Sequence, residues 1–450
     1  MKALLVTSAP PPKSPFSTTE KRPPLGVGTL ISVGREAGHE IDFIDNYLKR
    51  SNFELNGYLN RNAIAVVGIY SNTICFQDTL KMLRGIQHLR DEGVWNGKIA
   101  VGGPHVAVQP ESIPSYVDYI VMGEGEEAWV DILNRTAPTG YLRYPRMVNL
   151  DQLPFQPWDV FGKGDYDWSC PWMDGVAPVF TMNTSRGCPF GCAFCSVESI
   201  WGKMYTKMSA KRVVDEIEHV VNTYGAEGIY FREDNFTLSR KRTDAFCEEM
   251  NARGLQDIPW ACETRVDNMT MGRVRRMAQS GCCAFYLGVE SGSQRMLNKM
   301  NKNIRVENVQ DMIIWGKKYG IRSYASLITG VPGETVHDLL ETERLMEKLD
   351  PYHWGYNVFV GIPHSAMYEE CVEKGLVEHT DENGLIYPPG FDVKTKFFYN
   401  KPASEFVDAE FTERTQYDKD LLALRPKWVL KKGIRWAKRQ FSKRIGRARV

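Results

Sequence analysis

Three cysteines lie within eight residues of this 450-residue chain, in the segment RGCPFGCAFC at residues 186–195. Cys188, Cys192 and Cys195 follow the spacing C-x3-C-x2-C, and the glycines and proline among them allow a short loop to curl around one centre. Thiolates are soft ligands that bind iron–sulfur clusters or zinc. The segment therefore predicts a metal centre held by one short loop.

The ligand count separates the possible metals. A structural zinc site needs four ligands, usually arranged as two pairs, and the nearest further candidates are Cys170 and His219. Three thiolates on a four-iron cube leave one iron open to another ligand, so a four-iron cluster is the leading interpretation. A closed zinc site and three incidental cysteines are the alternatives.

Around and after this loop, the chain repeats strand-like and helix-like segments. A strand-like run at 179–183 precedes the cysteines, and five further pairs follow, which predicts an α/β partial (β/α)6 barrel of the TIM type over residues 177–370. In such barrels functional residues lie at the C-terminal ends of the strands. The predicted helices are near 209–223, 241–252, 269–279, 305–319 and 335–349, and the predicted strands are near 227–231, 259–264, 283–289, 321–328 and 354–360.

Residues 1–135 also alternate strand-like and helix-like runs, which predicts a doubly wound, Rossmann-like domain. Ligands bind such sheets at the carboxyl ends of the strands, and glycine-rich turns follow the predicted strands there. Residues 136–176, rich in Pro, Trp and Asp, predict a linker, and residues 371–450 predict a mostly helical extension that caps the barrel.

The cysteine spacing, with an aromatic residue before the third cysteine, resembles the signature of the radical SAM superfamily. The resemblance implies a [4Fe–4S] cluster on Cys188, Cys192 and Cys195, whose open iron binds S-adenosylmethionine (SAM). It also implies reductive cleavage of SAM to a 5′-deoxyadenosyl radical, which abstracts hydrogen from an unactivated carbon. A flavodoxin- or ferredoxin-like protein is the expected electron donor.

The resemblance assigns roles to residues at the strand ends. Glu233 or Asp234 would bind the SAM amino group, although Asp234 could instead cap a helix. Arg265 would bind the SAM carboxylate or form a salt bridge within the barrel. Glu290 would bind the ribose hydroxyls or play a structural part. The candidate SAM residues are Phe194, Glu233, Asp234, Arg265, Glu290 and Ser291, and the candidate substrate residues are Tyr356 and Asn357.

The N-terminal segment resembles the cobalamin-binding-type domain that precedes the barrel in one branch of this superfamily. The matching stretches are PPLGVGTLISVGREAGHEIDFID, VVGIYSN, VGGPHVAV and VDYIVMGEGE. The branch has an Asp-x-His-x-x-Gly signature whose histidine ligates cobalt, but none of the eight histidines here follows an aspartate at that spacing. Relatives without it bind cobalamin with no protein ligand, or bind none. The candidate cobalamin residues are Gly26, Ser71, Asn72, Gly102, Gly103 and Gly123.

The formal net charge of +1 conceals two regions of opposite sign. Residues 421–450 contain 11 lysines and arginines and no acidic residue, so 45 basic and 55 acidic residues remain in the first 420, a net charge of −10. An acidic body argues against a nucleic-acid surface. Residues 426–450 predict a basic amphipathic helix that binds an anionic membrane or acidic partner, or packs on its own protein. With no signal peptide and no long apolar run, we expect a cytoplasmic protein, with membrane association through this helix as an alternative.

Three functions compete on this reading. The first is cobalamin-dependent C-methylation of a small-molecule or lipid-linked substrate in a biosynthetic pathway. The second is a cobalamin-independent radical dehydration, epimerisation, rearrangement or oxidation of a sugar, lipid or natural-product intermediate. The third is a tRNA-modifying or binding protein, which the acidic body disfavours.

Overall fold

The computed structural model describes residues 1–10, 21–49, 54–162, 164, 166–381 and 384–387, and it divides into two compact units. The first contains Met1–Asp167, Ser196–Met208 and Thr380–Leu385, and the second contains Trp168–Cys195, Ser209–His379 and the residues from Ile386 onward. The predicted basic helix at 426–450 and most of the predicted cap lie outside the described residues.

A six-stranded parallel sheet forms the centre of the first unit. Its strands are β1 Lys2–Thr7, β2 Glu40–Ile44, β3 Val66–Tyr70, β4 Lys98–Gly102, β5 Tyr119–Val121 and β6 Gly140–Leu142. Their spatial order is β2-β1-β3-β4-β5-β6. The helices of this unit are α1 Leu25–Glu36, α2 Asn46–Lys49, α3 Leu55–Arg61, α4 Phe76–Asp91, α5 Pro104–Val108, α6 Glu126–Asn134, α7 Trp158–Phe161 and α8 Val197–Trp201.

Both faces of this sheet are buried, as the apolar run of β1 requires. Leu4 and Val6 join a core that includes residues of α3 and α4. Leu5 points to the opposite face and joins a core with residues of α1 and α6. Helices therefore cover both faces, and the predicted doubly wound domain is confirmed. The strand order reverses between β1 and β3, which is where ligands bind in such sheets.

The second unit contains a second six-stranded parallel sheet. Its strands are β7 Val179–Met182, β8 Gly228–Phe231, β9 Trp260–Thr264, β10 Cys282–Glu290, β11 Arg322–Thr329 and β12 His353–Val358. Their spatial order is β12-β11-β10-β9-β8-β7, the order of a partial barrel. The helices are α9 Ala210–Tyr224, α10 Arg240–Ala252, α11 Met271–Gln279, α12 Gln294–Lys299, α13 Val306–Lys318, α14 Val336–Leu349 and α15 Ala366–Glu373. The predicted six-strand barrel is confirmed.

Alternation along these strands defines an outer and an inner face. On the outer face, the Phe231 and Trp260 rings pack 5.3 and 5.2 Å from the ring of Phe246 on α10. Tyr230 therefore points to the inner face, and the strand registers place at least one polar residue of each strand there. These residues are Thr181, Tyr230, Glu263, Tyr286, Ser326 and Asn357.

The predicted linker and the predicted barrel contain elements that the sequence did not indicate. The N-terminal sheet continues to Leu142, because β6 pairs with β5 inside the segment that we expected to be a linker. A strand of three residues at a sheet edge is too short to show a periodic pattern. The helix α12 was not predicted either, since six residues give fewer than two helical turns.

Candidate functional site

The three cysteines lie on the loop that follows β7, at the carboxyl edge of the barrel sheet, and all three are half-buried thiols. Gly187 begins the loop with a φ of 82°, a conformation that favours glycine. The backbone N–H of Cys195 donates to the carbonyl of Cys192 at 3.0 Å and forms a tight turn. Burial raises the pKa of the Cys188 thiol.

A turn after α12 holds this loop from one side. The Ala193 N–H donates to the Met300 carbonyl at 2.9 Å, and the Asn301 side-chain amide donates to the Gly191 carbonyl at 2.5 Å. The Met367 N–H donates to the Ala193 carbonyl at 2.8 Å. We call residues 300–303 the brace. Sequence reasoning missed the brace, because these contacts join residues about a hundred positions apart.

The loop suits a multi-iron cluster better than a single metal ion. Within the described ranges, no three His, Cys, Asp or Glu side chains converge as ligands of one ion. In a four-iron cluster, by contrast, each thiolate binds its own iron atom, so the sulfurs need not meet at a point. The donor set of three half-buried thiols therefore fits the [4Fe–4S] group that the sequence implies.

Glu233 supports the loop from within the barrel wall. One carboxylate oxygen accepts from the Thr184 N–H and the Ser185 hydroxyl, both at 2.8 Å, and the other accepts from the Thr184 hydroxyl at 3.1 Å. Arg242, also buried, approaches this carboxylate to 3.6 Å. The buried Glu233 is thus occupied by the segment that connects β7 to the cysteines, which is a structural task.

The neighbouring Asp234 is exposed and accepts from the Gly187 N–H at 3.0 Å. Its carboxylate consequently lies next to the start of the cysteine loop. Of the two candidates for the SAM amino group, Asp234 is the one whose side chain reaches solvent at this position.

Arg265 is buried at the end of β9 and contacts the loop directly. One terminal nitrogen, Nη1, lies 3.4 Å from the Cys192 sulfur, and the guanidinium carbon lies 3.9 Å from the Phe190 ring centre. The other donors bind Asp267 and the Lys302 carbonyl.

Glu290 forms a buried ion pair that was not predicted. Its carboxylate lies 2.6 Å from the Lys302 Nζ, and this ammonium lies 5.7 Å from the Phe194 ring centre. Glu290 has a φ of 63°. A Cβ on Gly288 would meet the Glu290 carboxylate at 2.6 Å and the Lys302 Nζ at 2.9 Å, so the ends of both side chains would have to shift to admit a larger residue there. Lys302 connects the brace to the candidate SAM residues Phe194 and Glu290.

Ser291 is fully buried, and other protein groups already engage its hydroxyl. It lies 3.2 Å from the Thr342 hydroxyl and accepts from the Ser293 N–H at 3.1 Å. The structure therefore places Ser291 in the turn before α12.

The inner face carries two groups of hydrogen-bonded polar side chains. Tyr230 donates to Glu263 at 2.5 Å, Tyr286 donates to Ser326 at 3.1 Å, and the Asn357 amide donates to Ser326 at 3.0 Å. The fully buried Thr181 hydroxyl makes no hydrogen bond to described protein atoms.

The two candidate substrate residues point to opposite faces of β12. Asn357 pairs in register with Ile328, two residues beyond Ser326 on the inner face. Tyr356 pairs with the buried Leu327 and lies on the outer face. Only Asn357 lies among the polar groups of the inner face.

In the first unit, most of the candidate cobalamin residues follow the carboxyl ends of the strands, and Gly26 lies at the start of α1. Gly26 and Gly123 have open space where a Cβ would be, and Gly123 has a φ of 90°. A Cβ at either position would meet no described atom within 4 Å. A Cβ on Gly103 would meet the Ser71 carbonyl at 2.4 Å, so Gly103 is needed for local packing. The Asn72 side chain accepts from the Cys75 N–H and caps a short turn.

His105, just after Gly103, is the histidine nearest these residues in sequence. Its ring stacks on Phe76 with centroids 3.8 Å apart, and its nitrogens lie 3.3 and 3.0 Å from the hydroxyls of Thr73 and Ser112. Burial lowers its pKa to about 4. The imidazole is thus neutral and engaged, in agreement with the missing Asp-x-His-x-x-Gly signature.

Two family models match the chain. The B12 binding domain matches residues 17–133, and the radical SAM superfamily matches residues 182–346. Within the described residues, no helix is both long and apolar enough to span a membrane.

Individual relatives agree with these matches. An uncharacterised methyltransferase of Pyrococcus horikoshii is 28% identical over 402 residues, which cover 84% of each chain. The anaerobic magnesium-protoporphyrin IX monomethyl ester cyclase of Cereibacter sphaeroides is 28% identical over 395 residues, which cover 81% of this chain but 63% of the cyclase. The solved structure of the radical S-adenosylmethionine methyltransferase TsrM from Kitasatospora setae superposes with a TM-score of 0.66 at 17% identity, covering 84% of this chain and 77% of TsrM.

Proposed function

Because the chain belongs to the radical SAM superfamily and carries an N-terminal B12 binding domain, we propose that it is a cobalamin-dependent radical SAM methyltransferase acting on a carbon of a small molecule. The observation that carries the proposal is the cysteine loop at the carboxyl edge of a partial barrel, in a chain with a separate B12-binding-type unit. A methyltransferase relative that aligns over 84% of both chains supports methyl transfer.

We assign the binding of each cofactor to particular residues. Cys188, Cys192 and Cys195 would hold the [4Fe–4S] cluster, and the open glycines of the first unit would admit cobalamin. When bound, the cluster supplies the electron that cleaves SAM to a 5′-deoxyadenosyl radical, and cobalamin carries the methyl group. Asp234 offers an exposed carboxylate for the SAM ammonium. The buried carboxylate of Glu290, which is paired with Lys302, would accept hydrogen bonds from the ribose hydroxyls.

The polar side chains on the inner face of the barrel favour a polar substrate. Phenol, carboxylate, hydroxyl and amide groups from Tyr230, Glu263, Tyr286, Ser326 and Asn357 line it, which suits a molecule with several hydrogen-bonding groups. A long hydrocarbon chain would cover these polar groups without offering a hydrogen bond to any of them, or to the Thr181 hydroxyl, which has no partner among the described atoms. We therefore favour a polar intermediate over a lipid chain at this position, with electrons from a flavodoxin- or ferredoxin-like protein.

Anaerobic reconstitution tests the proposal. We expect about four irons and one cobalamin per chain, and release of 5′-deoxyadenosine and S-adenosylhomocysteine once a substrate is present. The triple variant Cys188→Ala/Cys192→Ala/Cys195→Ala should lose the cluster, whereas Cys283→Ala, a half-buried cysteine outside the loop, should retain it. A triple variant that still cleaves SAM reductively would refute the proposal.

A second function has one specific observation behind it. The cyclase relative is as identical in sequence as the methyltransferase relative, so radical oxidation with ring closure is the alternative. The two functions differ in how SAM is used, because methylation consumes a second SAM as the methyl source. Formation of 5′-deoxyadenosine without S-adenosylhomocysteine would favour oxidation, and failure to take up cobalamin at saturating concentration would exclude the cobalamin-dependent reaction.

A further inference from the structure

Arg265 is a cationic side chain that touches the cysteine loop, and most of its N–H donors already bind protein groups. Its Nε and Nη2 donate to the two Asp267 carboxylate oxygens at 3.0 and 2.9 Å, and Nη2 also donates to the Lys302 carbonyl at 2.6 Å. A guanidinium has five N–H donors. With Nη1 directed at Cys192, at most one N–H remains, and the fork that binds a carboxylate in two parallel bonds is occupied by Asp267.

The position of Arg265 connects three parts of the site. The guanidinium lies 3.4 Å from the Cys192 sulfur, stacks on Phe190 of the same loop, and binds Lys302 of the brace. The side chain is only 6% exposed, so the Asp267 pair and the sulfur contact are little screened by water. A cation held beside the Cys192 sulfur stabilises negative charge on that sulfur and on any metal centre that the sulfur binds.

We propose that Arg265 is a positioning residue that donates a hydrogen bond to the Cys192 thiolate of the cluster and raises its reduction potential, instead of binding the SAM carboxylate. Reduction adds one electron to the cluster and increases the negative charge on its sulfurs. An N–H donor and a positive charge beside a ligand sulfur stabilise that more negative state. The inference rests on the proposed cluster at Cys188, Cys192 and Cys195.

The test is a redox titration of the reconstituted full chain without SAM, followed by visible absorption and electron paramagnetic resonance. In Arg265→Gln the ratio of reduced to oxidised cluster at a fixed potential should fall about tenfold, equivalent to a midpoint lower by about 59 mV for one electron. Arg265→Lys keeps the positive charge but loses the guanidinium fork, so its midpoint potential should lie between those of the wild type and Arg265→Gln. The matched control is Arg240→Gln, which removes one exposed charge at α10 and should leave the midpoint unchanged.

SAM affinity, measured separately by equilibrium dialysis, distinguishes the two roles of Arg265. An unchanged SAM-free midpoint in Arg265→Gln overturns the inference, and a tenfold loss of SAM affinity with that unchanged midpoint assigns Arg265 to the SAM carboxylate. If Arg265→Gln folds by circular dichroism but takes up no cluster, the midpoint of Arg265→Lys decides: a value below that of the wild type supports the inference, and an unchanged value overturns it. A wild-type chain that takes up no cluster would instead refute the proposed function.

Discussion

The buried pair of Lys302 and Glu290 is an ionic contact that a single substitution should disrupt. Both side chains are under 10% exposed and their charged atoms are 2.6 Å apart. Lys302→Met leaves an unpaired buried carboxylate, so we expect the free energy of unfolding to fall by about 3–5 kcal/mol. Calorimetric melting measures the effect, and the double variant Glu290→Gln/Lys302→Met should melt closer to the wild type. Equal melting temperatures for wild type and Lys302→Met would contradict the importance of the pair.

His105 makes the stability of the first unit depend on pH. Its folded pKa is about 4 because burial disfavours the charged ring, whereas an unfolded histidine has a pKa of about 6.5. Below pH 6.5 the unfolded chain binds a proton at this histidine and the folded chain does not. The free energy of unfolding therefore decreases as the pH is lowered from about 6.5 to about 4. Between pH 7 and pH 5 the loss is about 2 kcal/mol.

Guanidinium unfolding at those two pH values checks this expectation. The wild type should lose about 2 kcal/mol more than His105→Gln on acidification. His88→Gln serves as the matched control, because His88 lies exposed on α4 beside Glu92. If wild type and His105→Gln respond equally to pH, the buried imidazole does not carry the effect.

At the scale of elements, we expect the brace to help the cysteine loop retain its cluster and to take no direct part in the reaction. Asn301 and Asn303 both have left-handed backbones, with φ of 49° and 54°, but only the Asn301 amide reaches the cysteine loop. Asn301→Gly keeps the backbone conformation and removes one hydrogen bond of about 1 kcal/mol, so iron release to a chelator should accelerate roughly fivefold. In Asn303→Gly, which removes an amide that bonds Asn301 and not the loop, iron release should accelerate less than in Asn301→Gly. Equal rates in all three proteins would refute the bracing role.

The elements that the sequence predicts well are those with local signals. The strands and long helices of the barrel agree with apolar periodicity to within a few residues, and the cysteine loop is evident from its spacing. The tasks of individual strand-end residues were harder to predict. Glu233 and Arg265 both end strands and both suit SAM, yet Thr184, Asp267 and Lys302 engage them. Such partners come together only through the fold, and a single sequence contains no signal for them.

At the scale of the whole molecule, the charge of the chain is divided between its body and its C-terminal 30 residues. The body carries a net charge of −10 and the end carries 11 positive charges. Neither the cysteine loop nor the B12-binding-type unit requires such an end. Each basic residue near an anionic bilayer contributes about 1 kcal/mol, so a handful of engaged residues would hold the protein on a membrane surface at low salt.

Deletion of residues 426–450 tests whether the basic end serves this purpose. We expect the full chain to co-sediment with vesicles containing phosphatidylserine and the truncated chain to remain in the supernatant, with equal cluster content in both. Vesicles of phosphatidylcholine alone are the control, because binding driven by charge should disappear there, as it should at high salt. Unchanged co-sedimentation after truncation would exclude the membrane role. If the full chain binds neither kind of vesicle, we would infer instead that the basic C-terminal residues contact the acidic body of the same protein, because their charges are opposite.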